Sequence, residues 1–436
     1  MRGLDVNMDA YREDRMSIDH DRNALTRRQF GKIAGAGALG AALASSTARM
    51  ALAQSTPNPA NIIKGVDETM RIHNAKLGVM ETPLQLLREH EITPKEIMYI
   101  RNHFPPAGKQ AWMATTEAPQ VTEWNIRVGG LAVRPRTITL DDLKGMEQVK
   151  VVAVMQCAGN GRSYFAAKAK APGGQWQHGS MANVEWEGVP LRAVLAKADV
   201  GPAADARWLT ANGADESPSP KGADLIKSFH IEDPALDNAL LAMKMNGEPI
   251  PAVHGGPVRL IIPGYYGNMN VKFVSELLYE TEQSPSPFQS KAYRAVNRPV
   301  EPGKFSVKDY NLGNSKPTYG FKIMSVIFAP LAEDMVKAGP VTIRGVAWND
   351  GTAKIASVRV SKDGGKSWDD AMVKHADSPY AWQHWSLDTT LEKGAHDLRV
   401  VATDEIGRTQ PLDGTAVWNP KGYEWNGADL VTVTAS

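Results

Sequence analysis

"VMQCAGNGRS" (Val154–Ser163) joins the end of an apolar, strand-like run to a turn with two glycines, and it holds the single cysteine of a 436-residue chain. A lone thiol at a strand end can be an inert buried side chain, half of an intermolecular bridge, or a ligand. Gly159 and Gly161 permit close backbone approach to a bound group, and Arg162 adds a positive charge five residues beyond Cys157. Those features suit a soft-metal ligand beside an anion site. A nucleophilic cysteine is the rival reading, and no neighbouring histidine base can be assigned to it from sequence.

Outward from that turn, "VKVVAVMQC", "ARWLTANG" and "GPVRLIIPGYY" read as strands ending in turns, while "TLDDLKGM" and "PLRAVLAKADV" have helical spacing. "TPKEIMYI" (Thr93–Ile100) predicts a short helix capped by Thr93 with Pro94 in its first turn. This mixture predicts an α+β domain over residues 54–315. From "GFKIMSVIFAP" onward the helical spacing stops. "GPVTIRGVAW", "IASVRVSKDGGKSW", "YAWQHWSLD" and "AHDLRVVATDEIG" alternate as strands separated by glycine turns, which predicts an all-β sandwich over residues 316–436. Trp348, Trp368, Trp382 and Trp385 are expected to fill or flank its core, and no titratable cluster in it argues for catalysis.

Composition bounds the function. With 42% hydrophobic residues, 22% charged residues and a net charge of +1, the chain is an ordinary globular protein long enough for two cores. No basic stripe interleaved with aromatics points to nucleic acid. Residues 1–53 read as an address. "LTRRQFGK" followed by a glycine- and alanine-rich apolar run and "ALAQ" resembles a twin-arginine signal cleaved after Ala53. The run is too short to span a bilayer. The expectation is a periplasmic protein without a membrane span, exported after folding and loading with its cofactor. An exported chain normally pairs its cysteines, so the solitary Cys157 calls for another use.

Four separated segments in order, "YIRNHFP" (Tyr99–Pro105), "CAGNGRS", "WQHGSMANVEWEGVPL" (Trp176–Leu191) and "HGGPVRLIIPGYYGNMNVK" (His254–Lys272), resemble the sulfite oxidase family of molybdenum enzymes. The C-terminal strands resemble that family's immunoglobulin-like dimerisation domain. The resemblance implies a molybdopterin domain followed by an immunoglobulin-like sandwich that forms a homodimer. By it, Cys157 is the thiolate ligand of molybdenum, the remaining ligands being oxo groups and a pyranopterin dithiolene. Tyr99, Ile100, Arg101, Asn102, His103, Asp215, His254, Arg259, Asn270, Val271 and Lys272 match positions that hold the pterin and its phosphate. Arg259 and Lys272 can neutralise a phosphate and Asp215 can accept from pterin nitrogens.

The substrate pocket implied by the same resemblance uses Arg101, Arg162, Trp176 and Tyr293, with convergent arginine donors suited to a small oxyanion such as sulfite. The implied activity is oxidation of sulfite to sulfate. The chain carries no CxxCH for haem, so electrons are expected to pass to a separate c-type cytochrome, making it a sulfite dehydrogenase. The alternatives are a related sulfane-sulfur dehydrogenase subunit and a sulfoxide reductase of the same superfamily.

Overall fold

The computed structural model describes residues 57–219 and 223–436, so the twin-arginine reading lies outside the described residues. Its decisive element is the strand Val149–Gln156, paired antiparallel with Met181–Pro190 from Val149↔Gly188 to Gln156↔Met181. Successive side chains on a strand point to opposite faces. Ala153, Met155 and, just beyond, Cys157 join one buried cluster with Tyr99 and Trp176, while Val154 and Ala158 join another with Trp348, Trp382 and Trp418. The strand is thus a wall shared by two cores, and its last four residues are all buried.

That strand belongs to a five-stranded sheet that also contains Leu240–Met245, Glu248–Pro249 and Arg259–Ile261. A second five-stranded sheet orders Arg136–Thr139, Asn125–Gly130, Val274–Glu280, Trp208–Gly213 and Lys227–His230. Val274–Glu280 runs parallel to Asn125–Gly130 and antiparallel to Trp208–Gly213. A core of Val128, Leu209, Leu260 and Leu277 also takes in Leu140 and Leu143 of the helix Leu140–Lys144, and Leu191 and Val194 of the helix Leu191–Lys197. The first helix starts on a capping box in which Thr139 and Asp142 satisfy each other's backbone amides. "TPKEIMYI" forms no helix: it is a turn, and Thr93 Oγ1 instead accepts from the Asn183 amide at 3.0 Å. The five residues between Pro94 and an isolated bridge at Ile100 leave no room for a second helical turn.

The all-β C-terminal part is an immunoglobulin-like sandwich of seven strands between Met324–Ala329 and Asp429–Ala435. Val358, Val360, Trp385, Leu398 and Val400 fill it. The other tryptophans flank it. Trp348 and Trp382 pack in the seam against the first part, where Trp348 Nε1 donates to Gln156 Oε1 at 2.9 Å, and Trp368 is only half-buried, beneath Arg359. Among the described residues no helix is long and apolar enough to cross a membrane.

Candidate active site

The strand end and the turn after it place Cys157 in the lining of a cavity. Cys157 is 7% exposed, and its Sγ accepts the Gly159 amide at 3.4 Å. The same cavity is lined by Tyr99, Arg101, Asn102, His103, Asp215, His254, Arg259, Asn270, Lys272 and Tyr293. Ile100 and Val271 do not line it. Ile100 sits in a small core with Ile63 and Met80, and Val271 in the core with Leu260, so the two hold the lining segments from behind.

At one end of the cavity the cations gather. Arg259 donates to the carbonyls of His254 (2.8 Å) and Asn270 (3.3 Å), and Lys272 Nζ reaches Asn102 Oδ1 at 3.0 Å and the Val253 carbonyl at 2.6 Å. His254 Nε2 meets the Lys95 carbonyl at 2.8 Å. Burial drives His254 down to about 3, Arg259 to about 10 and Lys272 to about 7, their mutual repulsion adding to the drop for His254 and Lys272. Burial lifts Asp215 to about 6 against the pull of Lys272. Such a set is electrostatically unfinished, and a phosphate would complete it.

Arg101, His103 and Tyr293 line the same cavity. His103 Nε2 hydrogen-bonds Tyr293 Oη, and Arg101 Nη1 donates to the Asn102 carbonyl. Burial lowers the His103 imidazole well below its usual value, with Arg101, Lys227 and Lys272 adding to it, and lifts the Tyr293 phenol above its usual range against Arg101. Tyr293 has φ +50°, a left-handed conformation that a bulky residue seldom holds without reason.

Arg162 and Trp176 do not line the cavity. Arg162 is 8% exposed, donates from Nε to the Gly422 carbonyl at 3.2 Å and from Nη1 to the Gly174 carbonyl at 3.1 Å, and lies 5.3 Å from the ring of Tyr423. Trp176 is buried with its ring 4.5 Å from that of His73 and edge-on to Tyr99 at 6.4 Å. The two glycines receive protein groups rather than a ligand. Gly161, at φ +76°, would place a Cβ 2.4 Å from Trp425 Cδ1, and a Cβ on Gly159 would fall 2.6 Å from Arg162 Nη2.

Sequence reading missed the contribution of the sandwich. Tyr423 stacks on Tyr293 (5.3 Å, 18°), Glu424 donates its amide to the Ala158 carbonyl at 2.8 Å, and Lys421 Nζ reaches the Lys291 carbonyl. Burial brings Lys421 down to about 7, with Arg294 adding to it. "NPKGYEWN" (Asn419–Asn426) is the only signal, and nothing local says that it folds back over Cys157. Among the described residues no group of three or more His, Cys, Asp or Glu could hold a metal. A metal here would have one protein thiol and otherwise cofactor ligands, and the cationic end, Asp215 and the cavity-lining thiol all fit a phosphate-bearing pterin dithiolene.

Comparison with known proteins agrees. An oxidoreductase molybdopterin binding domain matches residues 113–288, and a Mo-co oxidoreductase dimerisation domain matches residues 315–429. The mitochondrial sulfite oxidase of Homo sapiens is 30% identical over 375 residues, covering 84% of this chain and 66% of its own length; that of Macaca fascicularis is 30% identical over 361 residues, covering 81% and 63%. The chain therefore spans under two thirds of these relatives' length. An NADH nitrate reductase of Solanum lycopersicum is 32% identical over 371 residues, 38% of its length. Among solved structures, the sulfane dehydrogenase SoxCD from Paracoccus pantotrophus superposes with a TM-score of 0.69 at 27% identity, covering 88% of this chain and 93% of that one.

Proposed function

The chain belongs to the sulfite oxidase family of molybdopterin oxidoreductases, and from that premise we propose that it is a sulfite dehydrogenase, oxidising sulfite to sulfate and passing electrons to a separate c-type cytochrome in the periplasm. The observation that carries the reading is the convergence of Cys157, Arg101 and Tyr293 on one cavity that His254, Arg259 and Lys272 also line. The molybdenum cofactor, when bound, supplies oxygen-atom transfer and a two-electron store.

The chain's own residues do the rest. Cys157 offers the thiolate ligand; Arg259, Lys272 and His254 hold the phosphate; Asp215 accepts from the pterin. Arg101 binds and orients the anion and offsets its charge where little water competes. Burial keeps the Tyr293 phenol protonated, and its Oη hydrogen-bonds His103 Nε2 beside the anion site. The sandwich closes the site from behind through Tyr423, and by family membership it also serves self-association into a homodimer. The twin-arginine segment supports export of the folded chain.

A sulfane-sulfur dehydrogenase is the second reading, favoured by the superposition on SoxCD. Purified, cofactor-replete protein is expected to reduce cytochrome c on addition of sulfite and not of thiosulfate, and not to oxidise a reduced electron donor on addition of a sulfoxide. Turnover with a sulfane substrate but not sulfite would reverse the assignment.

A further inference from the structure

Lys227 opens the strand Lys227–His230 and is 1% exposed. Its Nζ donates to the Phe288 carbonyl and lies 4.6 Å from the ring centroid of Tyr293. The charged groups that act on it are Arg294 and Lys421, both cations, and it in turn acts on His103. Among the described residues it has no carboxylate partner within ion-pair distance. Burial first, then those two cations, push its amine well below the ordinary lysine range.

An amine buried without a counter-charge costs stability, and a methionine of similar length would fill the space without that cost. Packing therefore does not account for it, but its neighbour does. Tyr293 is held from several directions: Lys227 over the ring, Tyr423 stacked on it, His103 at the hydroxyl, and a strained backbone at φ +50°. The carbonyls of the segment just before it are held by basic side chains as well, Phe288 by Lys227, Gln289 by Arg294 and Lys291 by Lys421.

We propose that Lys227 is a positioning residue that holds the Tyr293 phenol toward the anion pocket and couples protonation behind the ring to oxyanion binding in front of it. With the pocket empty, burial and the neighbouring cations Arg294 and Lys421 disfavour a positive charge on the amine. An entering oxyanion offsets that repulsion, and Lys227 takes one proton from solvent; its ammonium then draws on the ring face as well as the Phe288 carbonyl. The inference rests on the reading of the site as an oxyanion pocket.

The test uses cofactor-replete wild type and Lys227→Met. Three quantities are measured: thermal unfolding against pH, kcat and KM for sulfite against pH, and sulfate binding by calorimetry in two buffers of different ionisation enthalpy. The variant is expected to unfold at a higher temperature than wild type near neutral pH, an advantage that fades as pH rises into the ordinary lysine range, where the unfolded chain also loses that proton. Its kcat/KM should fall about tenfold, chiefly through KM, with a changed pH profile. Sulfate binding should be weaker and no longer take up a proton.

Wild-type kinetics and proton uptake in Lys227→Met overturn the proposal. So does a variant that fails to fold, or that loses activity only in step with a lower unfolding temperature, because the lysine is then structural. If wild type does not turn over sulfite, the function assignment fails separately and the sulfate comparison decides this inference: equal affinity and equal proton uptake reject it, and weaker binding without uptake upholds it.

Discussion

Arg101 and Arg162 look alike in sequence, each in a motif ascribed to the anion pocket, but their surroundings give them different work. Arg101 lines the cavity, whereas Arg162 spends its guanidinium on the Gly422 and Gly174 carbonyls. Removing Arg101 takes away a charge-assisted contact of about 1.5–3 kcal/mol, so Arg101→Gln should raise KM for sulfite by roughly ten- to a hundredfold. Arg162→Gln should lower the unfolding temperature as well as activity, since it leaves buried carbonyls unpaired at about 1–3 kcal/mol each. Steady-state kinetics normalised to molybdenum content, beside thermal unfolding of both variants, check the contrast; an unchanged unfolding temperature in Arg162→Gln would contradict it. Residue type and motif position were legible for both. Their roles were not, because the partners of Arg162 lie 12 and 260 residues away.

At the scale of elements, period-two alternation along Val149–Gln156 carries most of the architecture: odd positions face the site and even ones face the sandwich. The segment from His254 to Lys272 supplies the cationic end in the same economical way, with Arg259 and Lys272 brought together by the Leu260–Val271 backbone hydrogen bond. In the cofactor-free protein Lys272 sits near 7 against an ordinary 10.5. A depressed native value means that the unfolded chain binds the extra proton between those two limits. Stability should therefore rise with pH across that window, the penalty being full below about 7 and gone above the ordinary lysine value. A bound phosphate raises the native value and flattens the rise. Calorimetric unfolding of cofactor-free and cofactor-replete protein from neutral to alkaline pH is expected to show a steeper gain in the cofactor-free form, and Lys272→Met should remove the difference. Parallel slopes would mean that Lys272 does not meet the cofactor's anion.

Over the whole molecule, the seam between the two parts behaves as a core. Trp348, Trp382, Trp418 and Trp425 share one cluster with Val154, Phe165, Tyr266 and Tyr293. Trp348 donates to Gln156, the residue before Cys157. Trp348→Ala should cost about 3–5 kcal/mol through the lost packing, and more through the orphaned Gln156 amide oxygen. The site should suffer with it, because the strand that ends at Cys157 loses its backing. Thermal unfolding and the molybdenum content of the purified variant are the measurements; a variant with normal stability and full cofactor content would show the seam to be passive.

The chain by itself determined much of this protein. Its alternation and turn residues specify the strands, the loss of helical spacing marks the passage to the all-β part, and four ordered motifs point to the family. These are local signals, each readable within about twenty residues. Tertiary structure alone decided what stands behind them: that "NPKGYEWN" closes over Cys157, that Gly161 makes room for Trp425, and that Lys227 lies against Tyr293. Each of those contacts joins residues dozens to hundreds of positions apart, and the energy that selects it comes from burying both sides at once. No spacing rule within one segment records that energy.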